Sequence, residues 1–443
     1  VEGMSFTGYG RNTGSKRGAV IHQGVYSVLT ITNCLFVANN GLQSSDFSSL
    51  FLFMTAASVT DCRFVGNWGR AIRTFGSVAW GDGQTVVVSG CEFDRMAQSG
   101  ASGLIAWLDN ANGRILLRGC DIHDCCVAGA TGSLLVDRVA AGMRDCRFAD
   151  NVATNAYGAY SNDSNQNSPS FGYTTAMTNC VFENNRMYVD PAKADVTRFP
   201  TTFGAYGNEL LAFDCSLTGN RVVGGLHPVS ALSLNVRGAM NCAFTGNESV
   251  SAAADGWTCT LLLMGNSGVA NCTFSDNGTP TAEIAFARTW EASQTSIANC
   301  LGWGPSDNYL LFTNATTKNI GITIRYTTAR NLDNAGVGNS ADDPGISDKL
   351  FCDAASGHHY RLTAGRAKSA RNGCQLYHYG TTFVFPNGSG GWTRWDYAAE
   401  NVKKENVGEP LEADLLGNPY KPNIILRGAV QDRITAGMAI IVR

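Results

Sequence analysis

Charge is scarce in this chain. Asp, Glu, Lys and Arg make up 16% of its 443 residues, against about 25% in an ordinary soluble domain. Lysine supplies only 8 of these and arginine 25. With a formal net charge of −3 the chain has no basic field for a phosphate backbone, so nucleic acid is not expected as a partner. No run approaches the roughly 18 consecutive apolar residues of a membrane span, so none is expected. The strong helix formers Leu, Glu and Lys are too few for a helical protein. The opening Val1-Glu2-Gly3 has neither an initiating Met nor a signal peptide behind it, which predicts a processed product or a fragment.

Glycine (50 residues), asparagine (36) and cysteine (15) are plentiful instead. Ten cysteines form a ladder: Cys34, Cys62, Cys91, Cys120, Cys146, Cys180, Cys215, Cys242, Cys272 and Cys300, spaced 26 to 35 residues apart. A period of that size marks a solenoid or an array. Around the cysteines the chain repeats a short grammar, as in Asn33-Cys-Leu-Phe-Val-Ala-Asn39, Asp61-Cys-Arg-Phe-Val-Gly-Asn67 and Asn241-Cys-Ala-Phe-Thr-Gly-Asn247. Cys and the aromatic stand at i and i+2, which puts both on one face of a strand. Phe fills the second slot at 36, 64, 93, 148, 182, 244 and 274, and Ile122 and Leu217 replace it elsewhere. Asn follows five residues after Cys at 39, 67, 151, 185, 220, 247 and 277. Asn tolerates left-handed backbone, so each is expected to form a corner.

Short strands, polar corners and a period near 30 predict a chain that winds once per repeat, with each coil's strands lying parallel to those of the coil before. Equivalent residues then stack at about 4.8 Å, and the Cys and Phe columns become interior ladders. The Leu-x-x-Leu-x-Leu spacing of leucine-rich repeats and the Trp-Asp signature of propeller blades are missing. The expected fold class is all-β, a parallel β-helix solenoid of about eleven coils over residues 1–332, with an irregular C-terminal cap over 333–443. Met4-Ser5-Phe6 already occupies the Cys-x-Phe slots. Further coils or a neighbouring N-terminal domain of the same gene product are therefore expected before residue 1.

These repeats resemble the right-handed parallel β-helix proteins of bacterial secreted and surface type, which share the architecture of pectate lyases. The Asn-Cys-x-Phe-x-x-Asn units are similar to those of polymorphic outer-membrane proteins. Asp343-Pro344-Gly345-Ile346, Tyr360-Arg361-Leu362-Thr363-Ala364-Gly365 and Asp414-Leu415-Leu416-Gly417-Asn418-Pro419 resemble the closing segment of that group. Arg366-Ala367-Lys368-Ser369-Ala370 and Arg427-Gly428-Ala429-Val430 depart from it. The resemblance implies the right-handed fold and a location outside the cell or at a bacterial cell surface. It leaves the activity open, since one fold hosts many functions.

The cysteine column reads as core packing, because free Cys is a small and readily buried apolar residue. Cys120, His123, Cys125 and Cys126 are soft ligands at close spacing, but strand alternation turns Cys120 and His123 to opposite faces, so zinc is not expected there. Cys352 and Cys374 can pair in an oxidising compartment.

A second column is a candidate for chemistry. Trp80-Gly81-Asp82, Trp107-Leu108-Asp109 and Leu135-Val136-Asp137 each precede a ladder cysteine, and in register they would stack carboxylates beside aromatic or apolar residues. Such a stack can hold calcium, the candidate cation, or supply the acid and base of glycoside cleavage while Trp faces a sugar ring. Asp82, Asp109, Asp137 and the neighbouring Arg138 are the candidate catalytic residues. The plainer reading makes Asp82 and Asp109 turn residues. The two longest coils bring Tyr160 and Tyr188, expected on loops beside this column. A later rung offers Arg288 and Trp290, and the cap offers Trp392, Arg394 and Trp395. All of these, with Trp80 and Trp107, are candidate contacts to a sugar.

The function expected from these residues is binding of polysaccharide or host glycan along the helix flank, as an adhesin or scaffold. A polysaccharide lyase or glycoside hydrolase on the aspartate column is the alternative, and a structural stalk is a third. No cluster of Lys, Arg and His of the kind a lyase needs is visible, and Gly-His-Gly is absent.

Overall fold

The computed structural model describes residues 1–332, except 11–18, 24–26, 41–46, 54, 76–84, 100–102, 110–113, 129–132, 138–139, 155–157, 163–174, 191–200, 205–209, 225–228, 235–237, 254–255, 257, 265–266, 279–281, 289–293, 304–308, 313–320 and 330–331, and beyond them 377–379, 382–386, 392–396, 401–403 and 409–410. Within several of these strands only the backbone is described.

Among the described residues there is no helix, and the strands of residues 1–332 stack in parallel sheets. Twelve short strands, from Ser5–Thr7 to Thr328–Ala329, carry the Cys-x-Phe repeat and form one sheet, here the ladder sheet. Eleven strands from Ser27–Thr32 to Gly321–Arg325 form the back sheet, each preceding its ladder strand by a single corner. Six strands from Ala97–Ser99 to Glu248–Val250 form a narrow corner sheet. A long sheet of six strands, Ala19–Gln23 to Gly158–Asn162, and a further five, Thr201–Gly204 to Tyr309–Phe312, complete the wall. Each strand pairs with its equivalent one coil away, so the chain is a parallel β-helix. The C-terminal region is not irregular throughout: Tyr377–Tyr379, Thr382–Pro386, Trp392–Asp396, Asn401–Lys403 and Glu409–Pro410 form a five-stranded antiparallel sheet.

The ladder sheet follows from its alternation. In Leu35–Val37 and Val181–Glu183 only the middle residue is buried, and the middle residues Phe36, Phe64, Phe93, Ile122, Phe148, Phe182, Leu217, Phe244 and Phe274 form one column. Phe36 and Phe64 stack with ring centroids 4.6 Å apart, Phe148 and Phe182 at 4.8 Å, and Phe244 and Phe274 at 4.8 Å. Burying each ring contributes about 1.5–3 kcal/mol, and an offset stack adds about 0.5–1.5 kcal/mol.

All ten ladder cysteines are buried in the same core and are free thiols. Each packs behind a residue at positive φ, such as Asn33, Asp61, Gly90, Gly119, Asp145 and Asn179. That left-handed turn explains the Asn, Asp or Gly before every ladder Cys, since these types reach it at least cost. The thiol donates back across the turn, as Cys62 Sγ does to Thr60 O (3.2 Å) and Cys215 Sγ to Phe213 O (3.1 Å).

The second corner differs from expectation. The left-handed residues there are Ala38, Gly66, Arg95, Asp124, Asp150, Asn184, Gly219, Gly246 and Asp276, one position before the recurrent Asn or, after Arg95 and Asp124, before the Met96 and Cys125 that replace it. The Asn side chains are buried and form a ladder of their own. Asn151 Nδ2 donates to Asn185 Oδ1 (2.9 Å), Asn185 to Asn220 (2.9 Å), Asn220 to Asn247 (3.0 Å) and Asn247 to Asn277 (3.1 Å). Each also donates to a carbonyl of the preceding Phe column, as Asn220 Nδ2 does to Phe182 O (2.9 Å). The repeated Asn is thus explained by a satisfied buried amide network rather than by its own backbone angle.

Candidate functional site

Because the core columns repeat, chemistry must come from the positions that alternate with them. On the outer face of the ladder sheet two columns run beside the Phe column. One passes through Arg63, Glu92, Asp121 and Arg147, and the other through Asp94, His123, Ala149 and Glu183. Parallel pairing in register places these ionic side chains on adjacent coils, and they engage one another. Arg63 donates to both Glu92 oxygens (2.7 and 2.9 Å). Arg147 bridges Asp121 (3.0 Å) and Glu183 (2.6 Å), thereby joining three coils. Arg95 grips Asp94 through Nε and Nη2.

His123 sits at the centre. Its Nδ1 lies 2.8 Å from Asp124 Oδ2 and 3.7 Å from Asp94 Oδ1, and its Nε2 lies 3.7 Å from Glu92 Oε1. Partial burial works to lower its pKa, but the hydrogen bond to Asp124 and the charges of Asp121 and Asp94 outweigh that and raise it. Hydrogen bonds from Arg95 and Arg63 hold Asp94 and Glu92 below the usual carboxylate range. The group therefore sets Asp94 and Glu92, which favour their ionised forms, beside an imidazole that favours its protonated form.

One coil face away, the corner sheet presents a second feature. Arg186 and Tyr188 stand at i and i+2 of strand Arg186–Tyr188, and both are exposed. Arg221 is level with Arg186 on the next coil and pairs with Glu248 at 2.9 Å. Arg186 has no ionic partner among the described residues.

The candidate residues of the sequence fall differently. Asp82, Trp80, Arg138 and Trp290 lie outside the described residues, as do Cys352 and Cys374. Trp107 is level with Arg73 and Val136, but Asp137 is level with Leu108, and Asp109 with Phe75. Asp109 and Asp137 thus occupy adjacent register steps and are not level with each other. Asp137 shares its level with Leu52 through Thr74 and Leu108, and Leu52 is a core residue. The expected aspartate column is not formed by these two residues, because that column assumed equal offsets from Cys and the strands run at different lengths before it.

Tyr160 and Tyr188 were expected on loops, and both are on strands. Tyr160 is level with Leu135, in the column that is core at Leu50 and Ile72, whereas Tyr188 is level with Thr154 and Val223 on the corner sheet. Arg288 ends strand Ala282–Arg288, paired with Met264 after a register shift. Trp392 and Arg394 share one parity of their strand and Trp395 the other. Cys120 and Cys125 are buried, Cys126 is exposed and His123 is half-buried, so these four do not converge on a metal.

Sequence reasoning missed Glu92, Asp94, Asp121, Asp124, Arg147 and Glu183. The signal was available in the free slots of three consecutive rungs, Cys91-Glu-Phe-Asp-Arg, Cys120-Asp-Ile-His-Asp and Cys146-Arg-Phe-Ala-Asp.

No protein-family model and no curated protein matches the chain. Among solved structures it is similar to tailspike protein 3 of bacteriophage CBA120, at 12% identity and a TM-score of 0.30, over 89% of this chain and 62% of that one. It is also similar to the A-module of a mannuronan C-5 epimerase of Azotobacter vinelandii, at 11% identity and a TM-score of 0.26, over 72% of this chain and 88% of that module. The chain spans about six-tenths of the tailspike's length.

Proposed function

We propose that this chain is a β-helix scaffold that binds polysaccharide or host glycan along its flank, outside the cell or at a cell surface, with acidic glycans preferred. The observation that carries this reading is the exposed rung of Arg186, Tyr188 and Arg221 on the corner sheet. An exposed tyrosine presents a rigid amphipathic ring to the apolar face of a sugar. Arg186 offers a forked donor for a carboxylate with no competing acid among the described residues, and on the next coil Arg221 shares its guanidinium with Glu248. The two arginines stand level on adjacent coils, so a polymer that meets both lies across those two coils.

The offset of Asp109 from Asp137 removes the geometric support for a lyase or hydrolase on that column. Binding, rather than cleavage, is what the exposed rung supports. Affinity electrophoresis against a panel of neutral and acidic polysaccharides tests it. Retardation by acidic polymers that falls at least tenfold in Tyr188→Ala and in Arg186→Ala/Arg221→Ala, with unchanged far-UV circular dichroism, is the expected result. Mobility unaffected by every polymer, or retardation indifferent to both variants, refutes it.

A further inference from the structure

The ring of His123 is faced by carboxylates at both nitrogens, which a surface ion pair does not require. On the Nδ1 side, Asp94 of the preceding coil and Asp124, the next residue, converge on the same atom at 3.7 and 2.8 Å. One ligand atom from each of Asp94, His123 and Asp124 lies within 4.8 Å of the other two. On the Nε2 side stands Glu92 Oε1 at 3.7 Å. Metal-bound histidines in proteins nearly always direct their second ring N–H to a carboxylate, which fixes the tautomer and raises the basicity of the ligating nitrogen. Here the ligand half is present at Nδ1, and on the Nε2 side a carboxylate held by Arg63 stands 3.7 Å away, within reach of the ring by a small side-chain shift. The geometry is imposed by the fold: parallel register sets Asp94 level with His123, and the left-handed turn at Asp124 (φ 54) turns the chain immediately beyond the ring.

We propose that Asp94, His123 and Asp124 form a binding site for a divalent transition metal ion, with Glu92 as the outer partner that orients the imidazole. One nitrogen and two oxygens suit zinc, manganese or cobalt, whereas calcium takes oxygen ligands almost exclusively. The cation takes the place of the proton held between Nδ1 and Asp124, and that proton passes to solvent. It also takes the place of the Arg95 guanidinium on Asp94. Arg95 has 68% of its side chain in water and can swing away. Acids outnumber permanent cations around the ring: Glu92, Asp94, Asp121 and Asp124 against Arg63, Arg95 and Arg147. The side chain of Asp94 is 10% exposed and that of Asp124 56%, so one edge of the site is sheltered and the other is open to water or to an oxygen ligand from a partner.

The test uses the untagged chain of residues 1–443, stripped with a chelator and titrated with Co(II) under anaerobic conditions, with no polysaccharide present. One equivalent should bind with visible d–d bands and without the near-ultraviolet band of thiolate ligation. Calorimetry with Zn(II) should show proton release. His123→Ala should abolish the spectrum, Asp124→Asn should weaken binding at least tenfold, and Glu92→Gln should weaken it by about 10–100-fold. Asp121→Asn, on the same face but outside the ligand set, should weaken binding far less than Asp124→Asn does. Circular dichroism and melting temperature confirm that each variant is folded. No binding up to millimolar metal, a thiolate band, or a spectrum that survives both His123→Ala and Asp124→Asn overturns the proposal.

Discussion

Replacing Asn185 with Ala tests the buried amide ladder, with its neighbour Asn184 as the internal control. Asn185 is 4% exposed. Its Nδ2 donates to Phe148 O (2.9 Å) and Asn220 Oδ1 (2.9 Å), and its Oδ1 accepts from Asn151 N (3.2 Å) and Asn151 Nδ2 (2.9 Å). Ala removes all four bonds, with unequal consequences. Asn151 Nδ2 keeps Ile122 O, and Asn220 Oδ1 keeps the Asn185 backbone N–H. Asn151 N loses the partner that the amide supplied, whereas Phe148 O keeps its place in the ladder with the Val181–Glu183 strand. At about 1–3 kcal/mol for the one buried group left unsatisfied, with a smaller sum for the bonds whose other ends retain partners, Asn185→Ala should cost about 2–4 kcal/mol. Asn184 is exposed and its φ is 54°, so Asn184→Ala loses only a residue suited to left-handed backbone and should cost about 1 kcal/mol. Urea unfolding read by far-UV circular dichroism gives both values. Because solenoid coils couple mainly to their neighbours, native-state hydrogen exchange should show the Asn151 amide opening most in the Asn185 variant. Equal costs for the two variants, or a cost below about 1 kcal/mol for Asn185→Ala, would refute the ladder as a stabilising network.

The ladder breaks between Asn67 and Asn151, where Met96 and Cys125 take the Asn position. Cys125 N donates to Asn151 Oδ1 (3.0 Å) and Cys125 Sγ to Phe93 O (3.4 Å); an Asn there keeps both and adds the Nδ2 bond to the next Asn Oδ1 that Asn185 makes to Asn220, so Cys125→Asn should raise stability by about 0.5–1.5 kcal/mol in the same urea assay. Burial pushes the Cys125 thiol up to about 12 and the Cys215, Cys242 and Cys272 thiols well above their usual range, whereas Cys126 is exposed. Native labelling with a maleimide at neutral pH should therefore lose one equivalent in Cys126→Ser, and the ladder thiols should react only after unfolding. His123 has a folded pKa above its unfolded value, so its contribution is complete below the unfolded pKa of about 6.5 and is lost as pH rises through the folded pKa. Metal-free protein should thus lose stability across that window, and His123→Gln should flatten the loss; a parallel pH profile in the variant counts against the cluster.

The fold was legible in sequence because a solenoid repeats its core. Phe36, Phe64 and Phe93 must stack, so the same residue type recurs at the same distance from Cys, and ten recurrences carry the architecture. The recurrent Asn was legible as a position, but its cause was not. Left-handed geometry and buried amide pairing favour the same residue, and only the backbone angles separate Ala38 from Asn39 or Gly66 from Asn67. The aspartate column failed for a related reason. Counting back from Cys91, Cys120 and Cys146 assumes that each coil spends equal residues before its cysteine, and a difference of one residue moves a side chain to the other face. Asp109 and Asp137 show that slip.

Function on such a scaffold belongs where a column departs from the rule the core imposes. The outer positions of the ladder sheet are free of the Phe stack, and they divide along the axis. In the later coils they are Ser216, Thr218, Ala243, Thr245, Thr273 and Ser275, and Thr245, Thr273 and Ser275 are at most 1% exposed. A hydroxyl can be satisfied in such a place by a single neighbour, whereas an ionised group there would need a full set of partners or would shift its protonation. Between Arg63 and Glu183 most of the same positions meet water, the buried Asp94 and Ala149 excepted, and they carry Arg63, Glu92, Asp121, His123 and Arg147. Exposure permits those charges but does not require them, since Leu35 and Val37 fill the equivalent slots one coil earlier at intermediate exposure. Nothing in the packing of the β-helix calls for an imidazole held between three carboxylates on that stretch. Its presence is a property of the site and not of the fold, and for this reason metal binding at His123 can be removed by substitution while the coils beneath it remain folded.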